Sequence, residues 1–205
     1  MSSPAPIAPP PEAGFDPLVF WVQHRQKVVL FAVLFAAALA IYFVSEFLQT
    51  RKRQHSAQAL AQAADAAGWR KVMADFSGTA AAGDAHLLLA EQLRKEGKLD
   101  EAVTTLRSFI DQYPQHPLLS GAWTSLAATL EAQGKADEAL STYQKVSASH
   151  ATSFSAPVAL LAQGRIYKEK GKADEARRIF EQVTTQFPET AFAQLATRES
   201  SQLKK

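Results

Sequence analysis

The sequence predicts an all-α protein: one N-terminal transmembrane helix, then an α-solenoid of about three helical hairpins closed by a capping C-terminal helix. Three observations predict it. Val28 to Val44 is a run of seventeen residues with no polar group except the Tyr42 hydroxyl. Alanine and leucine dominate over valine and isoleucine, a bias toward helix. A heptapeptide recurs three times, as EGKLDEA at Glu96–Ala102, QGKADEA at Gln133–Ala139 and KGKADEA at Lys170–Ala176, spaced 37 residues apart.

The apolar run is extended by Phe47 and Leu48, and a helix of ~20 residues crosses a hydrocarbon core of about 30 Å. Phe20 and Trp21 precede it, and Arg51-Lys52-Arg53 closes it, an arrangement suited to interfacial aromatics and snorkelling cations. A cleaved signal peptide is the rival reading, because Ala38-Leu39-Ala40 resembles a cleavage site. The long, Pro-rich and partly acidic leader and the continuation of the apolar run beyond that site favour an uncleaved anchor. Residues 1–14 are too rich in proline and too poor in apolar surface to fold, so a disordered tail and interfacial segment are expected over 1–26, with the span at 27–48. The basic residues flanking the span differ by one, nominally placing the C-terminal side in the cytoplasm.

Each heptapeptide has a reason in helix physics. Gly97, Gly134 and Gly171 end one helix; Asp100, Asp137 and Asp174 can N-cap the next, with a glutamate in its first turn. Each motif therefore reads as the turn of a hairpin. Leu106 and Phe109, Tyr143 and Val146, and Phe180 and Val183 lie four and seven residues beyond the motif alanines, as core stripes should. Small residues at Ala90, Ala127 and Gly164 are expected to face Ala102, Ala139 and Ala176, so that paired helices approach closely. Three repeats are expected at 83–119, 120–156 and 157–192. A juxtamembrane helix and a degenerate hairpin containing Trp69–Phe76 would occupy 49–82, and a capping helix 193–205.

Composition narrows the function. Of the 22 Lys/Arg, five flank the apolar run, and of the 20 Asp/Glu, three precede Gln54, so the remainder of the chain carries 17 of each and offers no basic face for nucleic acid. Without cysteine there is no disulfide, thiol nucleophile or lipidated thiol. The five histidines, His24, His55, His86, His116 and His150, never fall at metal-ligand spacing and read as surface residues. The Asp-Glu pairs recur with the turns, which favours a structural role over acid–base chemistry. No catalytic residue, cofactor or metal is expected, and the chain reads as an interaction module, not an enzyme.

With these motifs the sequence resembles the tetratricopeptide repeat family, which has a small residue in the first helix, an alanine early in the second, an aromatic four residues later and a closing proline. Pro114 and Pro188 match that proline; the middle repeat departs, with Ala151 in its place. The resemblance implies a groove lined by the first helices. Aligned on the motif alanines, it selects Asp84, Leu87, Glu91 and Arg94, then Thr124, Ala128 and Glu131, then Leu161, Arg165 and Lys168. That mixed-charge, partly apolar lining suits a protein partner or extended peptide. The asparagine clamp of some chaperone-binding members is missing, since the chain has no asparagine.

The span with its Lys27 and Arg51 flanks, Ser56–Ala67 and the run Leu87–Leu106 are similar to the YfgM-type family. This is the ancillary SecYEG translocon subunit and cell-division-coordinator repeat group of Gram-negative bacteria. The resemblance implies a single-pass inner-membrane protein with its C-terminal domain in the periplasm, against the charge count. It implies a chaperone-like role on exported polypeptides beside the Sec translocon, or a structural adaptor's place in an envelope or cell-division complex. An enzyme subunit is the least favoured of the three readings.

Overall fold

The computed structural model of the chain describes residues 17–203; the expected disordered tail over 1–14 lies outside them. Among the described residues there are nine helices and no strand: α1 Pro17–Gln62, α2 Ala66–Asp75, α3 Ala80–Lys95, α4 Leu99–Gln112, α5 Leu119–Ala132, α6 Ala136–Ser149, α7 Ala156–Glu169, α8 Ala173–Gln186 and α9 Ala191–Ser201. The chain divides into two compact units, Met1–Arg51 and Lys52–Lys205.

The first unit is built on α1. With neither glycine nor proline from Leu18 to Gln62, nothing interrupts the helix, which runs unbroken through the expected span at 27–48. Among the described residues it is the one helix long and apolar enough to cross a membrane, with an 18-residue window of mean hydropathy 2.7. Phe31, Phe35 and Phe43 stand exposed along it. Near the end of the unit the Arg51 guanidinium lies 4.5 Å from the centre of the Phe47 ring, a cation–π contact.

In the second unit the helices α2 to α9 pack in sequence, each on the next, and α7 also touches α5 and α9. The hairpins α3–α4, α5–α6 and α7–α8 turn at the three motifs. Gly97, Gly134 and Gly171 have φ of 74°, 77° and 71°, the left-handed conformation that costs a residue with a Cβ. The following lysine N–H then reaches back to the carbonyl of Leu93, Leu130 or Tyr167, at 2.9 Å in each case, and the glycine N–H to Arg94, Glu131 or Lys168. This is a Schellman closure made three times.

The motif aspartates do not N-cap. Lys98, Lys135 and Lys172 occupy the cap positions with no side-chain cap bond, so Asp100, Asp137 and Asp174 already lie within the first helical turn. There their charge complements the helix dipole, and two of them reach the next turn of the stack. Asp100 accepts from Gln133 Nε2 at 2.9 Å, and Asp137 accepts from Lys170, both 33 residues onward. Side-chain caps occur instead at Asp65, Thr79 and Thr190, whose oxygens accept from Gly68, Ala82 and Ala193.

The core follows the expected stripes. Leu106, Tyr143 and Phe180, and Phe109, Val146 and Val183, are all buried, as are Ala90, Ala127, Gly164 and the three motif alanines. The same register extends one repeat earlier. Trp69 and Val72 on α2 stand 37 residues before Leu106 and Phe109, and the Arg70–Glu101 ion pair at 3.9 Å is repeated 37 residues on by Arg107–Glu138 at 3.7 Å. Helix α4 ends at Tyr113 before Pro114, α8 at Phe187 before Pro188, and α6 at His150 before Ala151. The three cap N–H groups make equivalent bonds, to Phe109, Val146 and Val183, so the closing proline is dispensable in the middle repeat.

Gly164 shows how tightly the last hairpin closes. A Cβ there would fall 2.3 Å from Cε1 of the fully buried Phe180 ring, so the missing side chain is the seat of that ring. Gly164→Ala is expected to destabilise the Lys52–Lys205 fragment by ~1–3 kcal/mol through overpacking. Thr124→Ala, at a half-buried site, should stay within about 1 kcal/mol of wild type. Thermal melts followed by circular dichroism compare the two; equal midpoints for Gly164→Ala and wild type would contradict this packing.

Candidate functional site

Two hollows open between neighbouring first helices. The first, of about 190 Å³, lies between α3 and α5, with Leu87, Glu91 and Arg94 on one side and Leu118, Gly121 and Ser125 on the other. The second, of about 250 Å³, lies between α7 and α9, with Val158, Leu161 and Arg165 facing Phe192, Leu195 and Glu199. Both fall short of the ~300–1,000 Å³ that a drug-sized ligand needs and instead match one or two side chains.

Apolar exposure gathers here. Among the described residues from Lys52 onward, the exposed large hydrophobics are Leu88, Leu118, Phe154, Val158 and Leu195. Leu118 lines the first hollow, and Val158 and Leu195 line the second. Phe154, two residues before α7, is 65% exposed, and its ring lies 3.3 Å from where a Cβ on Gly121 would stand. The absence of a side chain at Gly121 is what lets the ring settle on α5.

The charged groups beside these hollows are paired with one another. Arg94 donates to Glu91 through Nε and an Nη at 3.0 and 3.1 Å. Arg165 of α7 lies 3.8 Å from Glu131 of α5, and Lys168 of α7 donates to Glu199 of α9 at 2.9 Å and to Gln202 at 3.1 Å. Tyr143 of α6 donates its hydroxyl to Glu131 at 3.1 Å. Burial, and after it the neighbouring Glu131 carboxylate, pushes the Tyr143 phenol well above its ordinary value.

Of the expected groove residues, Leu87, Glu91 and Arg94 line the first hollow and Leu161 and Arg165 the second. Asp84 instead sits 3.5 Å from the His116 ring. Thr124 and Ala128 line neither hollow; the Thr124 hydroxyl donates to the Ser120 carbonyl, and Ala128 packs against the core. Glu131 and Lys168 are engaged in the pairs just described. The residues missed on α5 and α9 have a geometric explanation: a hollow takes the trailing edge of one first helix and the leading edge of the next. A fixed offset of 37 selects the same edge each time. Their one signal in the sequence is apolar residues at link positions, Leu118 after Pro117 and Phe154 between serines.

Two of the five histidines also differ from expectation, while His55 is exposed as expected. His86 is 4% exposed, with Nδ1 donating to the Ala82 carbonyl at 2.8 Å, and the His116 side chain is 7% exposed, with Nδ1 accepting from the Leu118 N–H at 3.2 Å. They pack with Phe109 and Tyr113 and serve as core, not surface. Among the described residues no group of three or more His, Asp or Glu is placed to hold a metal ion.

Antiparallel helix pairs stacked in register, with side-chain-sized hollows along the first helices, define a helical-repeat scaffold of the kind that binds proteins. More narrowly, the chain belongs to the tetratricopeptide repeat-like domain family, whose profile matches residues 19–204. The comparison with curated proteins finds no match. Solved structures give the same fold. A tetratricopeptide repeat protein from Parabacteroides merdae superposes with a TM-score of 0.60 at 14% identity over 75% of this chain, which spans 60% of that protein's length. The nearly identical TPR-like repeats assigned to a kinesin light chain of Podosopora anserina give 0.56 at 18% identity, covering 75% of this chain and 84% of theirs. BtubC from P. vanneervenii gives 0.52 at 19% identity over 72% and 62%.

Tyr143→Phe is expected to lower stability by about 1–2 kcal/mol at neutral pH, through loss of the bond to Glu131. Because the phenol is raised in the folded state, its contribution is complete below the unfolded value of about 10 and is lost as pH rises beyond it. Urea melts between neutral pH and about pH 11 should therefore show wild type losing its advantage over the variant; a pH-independent difference would remove Tyr143 from that titration.

Proposed function

We propose that the chain is a membrane-anchored scaffold that holds an extended segment of another polypeptide along its first helices. The observation that carries this reading is that three of the five exposed large hydrophobics from Lys52 onward, Leu118, Val158 and Leu195, line the two hollows between first helices. Helix α1 supports the anchor by its length and composition. The resemblance to the YfgM-type group supplies the setting: a bacterial inner membrane, with the C-terminal domain in the periplasm, where the segments held are exported polypeptides beside the Sec translocon. The groove partners are the residues lining the hollows, Leu87, Glu91, Arg94, Leu161 and Arg165 among those expected, together with Leu118, Val158 and Leu195.

Topology is tested by a reporter that fluoresces only in the cytoplasm, fused after Lys205; it should stay dark, and bright cells would overturn the periplasmic placement. The groove is tested by a photocrosslinking residue at Ser125, in the first hollow, against one at Arg178, exposed on α8. Ser125 should capture translocon subunits and exported chains, whereas Arg178 should not. Identical adducts from both positions would sink the groove reading, and a fixed set of envelope proteins at Ser125 would replace the translocon role with that of an adaptor.

A further inference from the structure

We infer that the second unit rests on the bilayer surface by the edge that carries its links, with the Phe154 ring as the side chain that enters the lipid interface; this rests on the membrane anchor proposed above. The hairpins are antiparallel, so each first helix starts at a link and each second helix ends at one, which gathers the links on one edge and the motif turns on the other. Contacts run along the link edge. The Gly78 N–H donates to the Tyr113 hydroxyl at 3.3 Å, the Ser120 hydroxyl donates to that of Ser155 at 3.3 Å, and the Phe154 ring lies on Gly121. Links 76–79, 113–118 and 150–155 contain no Lys, Arg, Asp or Glu, and 187–190 contains only Glu189. The motif turns at 96–98, 133–135 and 170–172 contain Glu96, Lys98, Lys135, Lys170 and Lys172. Dehydrating a charge is costly, so the link edge is the one that can be pressed against lipid.

Two observations name the bilayer as what covers this edge. The first is the chain connection. Lys52, the first residue of the second unit, donates from Nζ to the Ser77 carbonyl in the first link at 2.9 Å, and Ser56, one turn further along, is buried. The apolar run ends at Leu48, and the four residues from there to Lys52 cover at most ~14 Å when fully extended. In any conformation, therefore, the first link is tethered close to the membrane that the apolar run crosses. The second observation is Phe154. Among the described residues from Lys52 onward it is the most exposed large hydrophobic, and it lines neither hollow. An exposed aromatic ring on an uncharged rim suits the boundary between headgroups and acyl chains, where apolar side chains of surface-bound proteins are buried. The bilayer accounts for the tether, the missing charges and the ring together.

The chain has no cysteine, so a single introduced thiol can be labelled without ambiguity. Thr152→Cys lies in the same link as Phe154, and Glu169→Cys lies at the end of α7 beside the opposite turn; both positions are exposed. The full chain, carrying an NBD dye at one position or the other, is placed in phosphatidylcholine nanodiscs with and without lipids that bear a nitroxide on the acyl chain. The dye at 152 should lose most of its emission to the nitroxide, and the dye at 169 should keep it. Phe154→Ser leaves the buried core intact, and in the Thr152→Cys chain it should restore the emission. Equal quenching at both positions, no quenching at 152, or quenching at 152 that survives Phe154→Ser would overturn the inference while leaving the anchor in place. A chain that fails to enter the discs would overturn the anchor, and the inference with it.

Discussion

The Schellman closure at Gly97, Gly134 and Gly171 is the constraint on which the second unit depends. A left-handed residue at that point lets the chain reverse within three residues, so the second helix begins at Leu99, Ala136 or Ala173. Any L residue with a Cβ there would cost about 1 kcal/mol or more. Because the reversal is the same each time, Leu106, Tyr143 and Phe180 meet their neighbours in the same way, and the stack inherits its 37-residue period from the turn. A change in the length of one turn would rotate the whole second helix and move its apolar stripe off the core.

The surface contacts repeat with the same period but contribute less. Arg70–Glu101 and Arg107–Glu138 join successive second helices, while Gln144, 37 residues after Arg107, instead donates to the Tyr167 hydroxyl. Such exposed ion pairs are worth ~0–1 kcal/mol each. The loss of one in the third repeat therefore leaves the stack intact, and the buried ladder of Phe109, Leu130, Val146, Ile166, Phe180 and Val183 holds it together. Nearest-neighbour packing of this kind makes stability a sum over hairpins, so the end helices α2 and α9 must present polar outer faces.

That polar demand at the ends leaves the line of first helices as the place where apolar surface remains exposed. Its ion pairs serve two purposes: they tie α5 to α7 and α7 to α9, and they neutralise the charge next to each hollow. At 14–19% identity the solved structures share the fold alone, and a fold by itself does not fix what a protein binds.

The sequence by itself determined the helical class, the 37-residue period and the buried stripes, because these depend on local propensities and on glycines whose conformation is local. It also marked the apolar run of α1 by length and composition alone. Only the tertiary structure decided the partners of groups that could serve in several ways. Asp100 and Asp137 looked like N-caps, yet the caps fall two residues earlier, at Lys98 and Lys135, which releases the aspartates for Gln133 and Lys170 of the next turn. His86 and His116 looked like surface residues, but the packing of α3 on α4 encloses them with Phe109 and Tyr113. The hollows followed the same rule: they form where one helix edge meets a different edge of its neighbour, and which edges meet is set by packing across repeats, on which a periodic sequence is silent.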